Sequence, residues 1–401
     1  MFYIKVKFHL TLQDEGDSQH WLFATNLSPS LNEEKEEEKE EEATIIEQQP
    51  TADNDFMDPS IDDDDFNAIP IIDLSMPKHI YAKQIADACR HVGFFYIINH
   101  GVGQDVMDSV MDQSKKFFDL DLNSKLAVSN SGSAGERKGH RGYFEIGGED
   151  LENKDSVRDL FAEEGGSRSN HNSTKKGDYK EGFDCGIDNE DALQFFGDNK
   201  WPDETYNPSI EGFRRTLMEY QSQLIQLSDV LMLALASSLK HDNPNGGDVV
   251  ADDYLIRQSR NPLCTLRLLH YPFIENGTSS SLGCGAHTDY GLFTILQQDA
   301  IGGLQVRNHS KEWIDATPVK GSFVINCGDM LHRWTDGEYA STVHRVISPS
   351  VSGDRYSVPF FFNPDADAVV KPLGSSNADE YDVAATALDI LQARYDGTFQ
   401  K

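Results

Sequence analysis

The sequence is short of basic charge. Lys and Arg number 35 against 67 Asp and Glu, a formal net charge of −32 over 401 residues. An electrostatic grip on nucleic acid or anionic lipid needs clustered Lys and Arg, so neither is expected as a partner. Cysteine is scarce too. Cys89, Cys185, Cys264, Cys284 and Cys327 show no CxxC spacing and no even-numbered framework, which leaves no disulfide scaffold to read. No apolar stretch approaches the roughly 18 to 20 residues of a membrane span. The N-terminus lacks the cationic and then apolar regions of a secretory signal, and it is acidic where an organellar transit peptide would be basic. These absences give the expectation of a soluble protein in a reducing compartment, read as cytoplasmic. No internal repeat is present.

The acid that is there is unevenly placed. Residues 1–66 hold 19 acidic and 4 basic residues, including Glu33 to Glu42 and Asp62 to Asp65. Like-charge blocks with few apolar residues cannot bury enough surface to offset ordering entropy, so 13–66 is expected to be mostly disordered. Ahead of it, Ile4, Val6, Phe8, Leu10 and Leu12 alternate with polar residues and predict a short strand.

From Ile69 the texture changes. Ile69–Leu74 reads as a strand, 79–92 as a helix, Phe94–Ile98 as a buried strand and 104–118 as an amphipathic helix. Residues 165–200 are rich in Gly, Ser, Asn and Asp and read as a surface insertion. Ile210, Phe213, Leu217, Tyr220, Leu224, Leu227, Leu231 and Ala234 then form the packing stripe of a long helix, with a turn at 243–247. After Pro262 the period becomes two, with strands expected over 263–271, 292–298, 303–307, 321–326, 342–348 and 354–362. Helices followed by many short strands indicate a mainly β protein, a barrel or sandwich with flanking helices. The expected organisation is an acidic extension over 1–66 and a region of helices and strands over 67–165. A polar surface insertion over 166–200 and a long helix with its connection over 201–260 follow. A β core over 261–365 and a C-terminal helix and tail over 366–401 complete it.

The chemistry sits in the β core. His287 and Asp289 are two apart, so on one strand they face one point. His344 lies on an expected strand 57 residues later. Two imidazoles and one carboxylate suit non-heme Fe(II), which needs open positions for co-substrate and O2. Taken alone, an HxD triplet fits a surface turn equally well. Arg355 and Ser357 follow, 11 and 13 residues after His344 and also two apart on a strand. A guanidinium in an apolar strand needs a counter-charge, and its fork matches a carboxylate; the alternative is a structural Arg paired with an Asp. His270 is read as structural and His100 as a turn residue. Cys284 and Cys327 are read as small core residues, and Phe361 as core that shares the clamp's face.

With these residues in place, the sequence resembles the isopenicillin N synthase-like Fe(II)/2-oxoglutarate-dependent oxygenases, also called the iron/ascorbate-dependent oxidoreductase family. The matching stretches include Gly93–Val102 (GFFYIINHGV), Arg141-Gly142-Tyr143 with Glu149, Arg267–Pro272 (RLLHYP) and Gly285–Gly291 (GAHTDYG). They continue through Gly302–Val306 (GGLQV), Gly328-Asp329, Arg333–Gly337 (RWTDG), Ser341–Val346 (STVHRV) and Arg355–Phe361 (RYSVPFF). The likeness covers about 67–395 apart from the insertions. It implies a double-stranded β-helix, or jelly roll, with flanking helices. It implies iron at His287, Asp289 and His344, and 2-oxoglutarate held by Arg355, Ser357 and Tyr271. Plant members often carry Asn where this chain has Leu269, so contacts near the iron-bound end of the co-substrate are expected to differ.

The activity the resemblance implies is hydroxylation or desaturation of a small organic substrate, with O2 consumed and succinate and CO2 released. Ascorbate is a candidate reductant, and no general base is nominated. Two other readings stay open: an oxidase in which the Arg–Ser pair holds the substrate's own carboxylate, and an idle barrel whose acidic tail engages a partner. Oligomeric state and substrate identity are not legible.

Overall fold

The structure is a computed structural model that describes residues 65–130, 140–149, 151, 177–188, 190–239, 253–274, 282–348, 353–373 and 385–398, all within the compact unit Ile61–Lys401. The strand expected near the N-terminus and nearly all of the expected disorder fall on residues 1–64, outside the described residues. Asp65 and Phe66 are described and are tied down: Ser310 N donates to the Asp65 carboxylate at 2.8 Å and Asn308 Nδ2 to Phe66 O at 3.3 Å. The turn expected at 243–247 also lies outside.

Twelve strands are described, in two sheets. The larger takes β1 (Ile71–Asp73), β2 (Phe94–Ile98), β3 (Gly142–Phe144), β4 (Glu181–Gly186), β5 (Thr265–Tyr271), β7 (Phe293–Gln298), β10 (Phe323–Cys327) and β12 (Arg355–Phe362), in the spatial order β1-β2-β10-β7-β12-β5-β4-β3. The smaller takes β6 (Leu282–His287), β8 (Leu304–Arg307), β9 (Trp313–Asp315) and β11 (His344–Ile347), in the order β6-β11-β8-β9. All pairs are antiparallel except β1 with β2.

Inside its edge strand β1, the larger sheet is buried on both faces, which explains its unbroken apolar runs. Phe94, Tyr96, Leu269, Tyr271 and Val324 meet Leu304, Val306 and Val346 of the smaller sheet in an inner core. Their strand neighbours Phe95, Ile97, Leu266, Leu268, Ile325, Val358 and Phe360 turn outward into a second core with the helices. The result is a jelly roll with flanking helices, as expected.

The flanking helices follow their apolar stripes. Helix α1 (Lys78–His91) buries Ala82, Ile85, Ala86, Ala88 and Cys89, and α2 (Gln104–Phe118) buries Val106, Met107, Val110, Phe117 and Phe118. Between α1 and β2, Gly93 holds φ +72°, and a Cβ there would stand 2.4 Å from Ala340 O. A short α3 (Leu122–Leu126) is capped by Asp121, which accepts from Asn123 N and Ser124 N. The long helix spans Phe213–Leu239, not from Ile210: Gly212, at φ +82°, separates it from a 3-10 turn over Pro208–Ile210. Among the described residues no helix is long and apolar enough to cross a membrane.

The expected surface insertion over 166–200 needs correction where it is described. β4 is buried throughout and pairs with β5, Asp184 opposite Arg267 and Gly182 opposite Leu269. Its glycines and charges look like a loop but answer to close packing and ion pairing. A Cβ at Gly182 would stand 2.3 Å from the Phe144 ring, and one at Gly186 2.4 Å from Cys264 O. A short helix, α4 (Glu190–Phe196), follows. Strands β6 and β9 and the helix Asp329–Trp334 were also not anticipated.

Candidate functional site

His287 ends β6 and His344 opens β11, and the two are cross-strand partners. Asp289 comes from the turn after β6, not from the same strand as His287, so register and a turn bring the three together. One ligand atom from each lies within 4.8 Å of the other two. His287 Nε2 stands 3.6 Å and His344 Nε2 3.7 Å from Asp289 Oδ1.

The surrounding hydrogen bonds leave those atoms free. His287 Nδ1 lies 2.8 Å from Gly285 O and His344 Nδ1 3.2 Å from Thr342 O. A carbonyl only accepts, so both Nδ1 atoms donate and each Nε2 keeps its lone pair. Asp289 Oδ2 accepts from Thr294 Oγ1 at 2.5 Å and from Asn326 Nδ2 at 2.8 Å, which leaves Oδ1 available. Burial, reinforced by the neighbouring His287, pushes His344 down to about 4, so the imidazole is neutral near pH 7. Burial works to raise Asp289, but the two histidines and its hydrogen bonds outweigh it and hold the carboxyl below its usual range. Two imidazoles and one carboxylate, each with a donor atom left open by its hydrogen bonds, fit an Fe(II) ion with open positions.

Arg355, the first residue of β12, stands opposite Tyr271, and Ser357 opposite Leu269. The guanidinium is 1% exposed. It donates from Nη1 to Ser357 Oγ at 3.1 Å and from Nη2 to Gln298 Oε1 at 3.4 Å, and it lies 4.7 Å from the Tyr271 ring centre. Its Nε is buried without a hydrogen-bond partner. Among the described residues no carboxylate pairs with it, so the structural-pair alternative is not what the fold shows. Burial raises the Tyr271 phenol, against the pull of Arg355, and keeps it a donor. A buried guanidinium, hydroxyl and phenol without a counter-anion fit one end of a dicarboxylate.

A cavity of about 60 Å³ opens beside the triad, lined among others by Glu149, Arg267, Tyr290, Phe361, Leu391 and Tyr395. Phe361 thus serves the cavity, while Phe360 and Phe362 are core. His270 is structural: it meets Glu181 at 2.7 Å and stacks on Tyr356. His100 Nδ1 accepts from Val102 N at 3.2 Å within its turn. Cys284 lies 3.7 Å from His287 Nδ1, behind the ligand rather than facing the metal position, and burial pushes its thiol up to about 12. Cys327 packs its sulfur 3.3 Å from that of Cys89.

Thr294, Asn326 and Gln298 were missed in the sequence. The available signal was polar residues on strands buried on both faces, Asn326 within Phe323–Cys327 above all.

Comparison with known proteins agrees with this geometry. Residues 69–204 match the family model described as non-haem dioxygenase in morphine synthesis N-terminal, and 262–364 match the 2OG-Fe(II) oxygenase superfamily. A homoarginine-6-hydroxylase of Oryza sativa subsp. japonica is 35% identical over 334 residues, covering 77% of this chain and 89% of that protein. A 2-oxoglutarate-dependent dioxygenase of Didymella fabae is 34% identical over 332 residues, covering 79% and 90%. A full-length Neurospora crassa protein, crystallised in complex with alpha-KG and thymine, superposes with a TM-score of 0.65 at 28% identity, over 81% of this chain and 96% of that one.

Proposed function

Because the chain belongs to the 2-oxoglutarate- and Fe(II)-dependent oxygenase family and is a non-heme iron dioxygenase of that kind, we propose that its site residues divide the work as follows. His287, Asp289 and His344 hold iron through Nε2, Oδ1 and Nε2. Arg355 and Ser357 hold the distal carboxylate of 2-oxoglutarate, and Tyr271 supports it. When bound, iron and 2-oxoglutarate supply dioxygen activation coupled to oxidative decarboxylation, with succinate and CO2 released. The protein's own part is positional. Gly285 O and Thr342 O fix the imidazole tautomers, and Thr294 and Asn326 orient the Asp289 carboxylate. No side chain is assigned as a general base.

The prime substrate is a small polar molecule that enters the cavity beside Asp289, where it would be hydroxylated or desaturated. Support comes from relatives that carry such names: a homoarginine hydroxylase, and a fungal protein solved with thymine. The oxidase and idle-scaffold readings find no such support.

The observation that carries the assignment is Arg355, a guanidinium 1% exposed with no carboxylate partner among the described residues. Anaerobic titration of Fe(II)-loaded protein with 2-oxoglutarate tests it. A visible charge-transfer band that saturates with one equivalent is expected. No band in folded, iron-loaded protein would refute the assignment.

A further inference from the structure

The cavity beside the triad has a charged wall whose charges do not balance. Arg267 and Lys180 are buried cations; Glu149, Asp178 and Asp184 are buried carboxylates. Arg267 reaches Asp184 from Nε at 2.7 Å and Nη2 at 2.8 Å, and the two oxygens of Glu149 from Nη1 at 3.0 and 3.2 Å. Lys180 Nζ lies 2.9 Å from both Glu149 and Asp178, its third contact being Cys284 Sγ at 3.2 Å. Among the described residues, three carboxylates against two cations leave one formal negative charge in excess, out of water. Such an excess is costly unless something cancels it.

The neighbouring described groups do not cancel it. Arg394, over the Tyr290 ring, is held by Asp329 at 2.8 Å. In the co-substrate site a metal dication and a dianionic keto acid, when bound, would cancel against Asp289 and Arg355. Nor does a proton fit well in the network. Burial tends to raise Glu149, yet Arg267 and Lys180 hold it at about 2. Burial does raise Asp184, but both of its oxygens accept from Arg267.

Only Glu149 and Arg267 of this network line the cavity, together with His287 and Asp289. A carboxylate has about four lone-pair directions. Glu149 uses three of them, two for Arg267 and one for Lys180. The facing walls are the aromatic rings of Tyr290, Phe361 and Tyr395; such faces attract cations, and those of Phe361 and Tyr290 already carry Arg267 and Arg394.

We propose that Glu149 receives a cationic group of the prime substrate, an ammonium or a guanidinium, so that this oxygenase acts on an organic cation. The proposal rests on the cavity being the prime-substrate site. Asp178 and Asp184 stand behind as positioning residues that keep Lys180 and Arg267 from neutralising Glu149.

Isosteric probe pairs that differ only in charge provide the test. L-arginine against L-citrulline, and methylguanidinium against methylurea, are titrated calorimetrically into the full chain loaded anaerobically with Fe(II) and 2-oxoglutarate. Each cation is expected to bind at least about tenfold tighter than its neutral partner. Glu149→Gln should erase that ratio and Glu149→Asp should restore part of it. Neutral probes that bind as tightly as the cations, a ratio that survives Glu149→Gln, or no cation binding at millimolar concentration would overturn the proposal. Should Glu149→Gln not fold, the wild-type ratio decides alone. The chelate band is recorded in the same samples: its loss overturns the cofactor assignment, whereas the probe ratios report on charge with or without 2-oxoglutarate.

Discussion

Replacing Arg355 with Met removes a group that the apoprotein bears as a cost and the holoprotein needs. The guanidinium is 1% exposed, and its partners within the fold are a hydroxyl, an amide oxygen and an aromatic face. Removing one member of a buried ion pair costs about 3–5 kcal/mol. At about 1.4 kcal/mol per factor of ten, that is roughly a hundred- to several-thousand-fold in the affinity for 2-oxoglutarate. Ser357 and Tyr271 remain to donate to the distal carboxylate, which puts the expectation near the lower end, about a hundredfold. A paired ligand isolates the interaction: 2-oxopentanoate keeps the keto acid and lacks the distal carboxylate. Calorimetry on anaerobic, metal-loaded wild type should favour 2-oxoglutarate by about that factor, and Arg355→Met should bind the two almost equally. The apoprotein should melt no lower as the variant, because an unpaired buried charge has been exchanged for a similar apolar volume. Preserved discrimination in folded Arg355→Met, or a large loss of apoprotein stability, would refute the reasoning.

Further consequences concern the metal ligands and the tail. Asn326→Leu removes one of the two donors to Asp289 Oδ2, and metal affinity measured by chelator competition should fall about 10- to 100-fold; unchanged affinity would place the control elsewhere. His344 has its folded pKa depressed to about 4 from an ordinary 6.5. The native apoprotein therefore binds fewer protons than the unfolded chain between those values, so stability is full above about pH 6.5 and is lost as pH falls toward 4, by roughly 2–3 kcal/mol. His344→Gln should flatten that part of a pH series of denaturant melts, and a series of unchanged slope would contradict the depressed value. Deletion of residues 1–64 removes none of the site residues, so iron and 2-oxoglutarate affinities should match the full chain; loss of both in a folded truncation would show that the acidic extension serves the site.

Much of the site could be read in the sequence because strands carry their information in parity. Arg355, Ser357 and Phe361 share one face of β12, as their spacing requires, and Tyr271 meets Arg355 across the β5–β12 pair. The apolar runs of β2, β10 and β12 announce burial on both faces. What escaped notice depends on neighbours far away in the chain. β4 reads as a loop because Gly182 and Gly186 answer to Phe144 and Cys264, and Asp184 to Arg267. The triad closes through the His344–His287 register and a turn at Asp289, which the two-residue spacing alone does not reveal. The excess charge around Glu149 appears only once Asp178 and Asp184, on the segment taken for a surface insertion, are seen buried against Lys180 and Arg267.

The central claim is that a triad and a clamp in one barrel couple iron to a keto acid. Its most direct test is succinate formation by the Fe(II)-loaded chain in aerobic 2-oxoglutarate, with or without a prime substrate. The account predicts one succinate per 2-oxoglutarate consumed, with none from Asp289→Ala or from protein loaded with Zn(II). Succinate release that persists in Asp289→Ala, or is absent from folded, iron-loaded wild type, would contradict it.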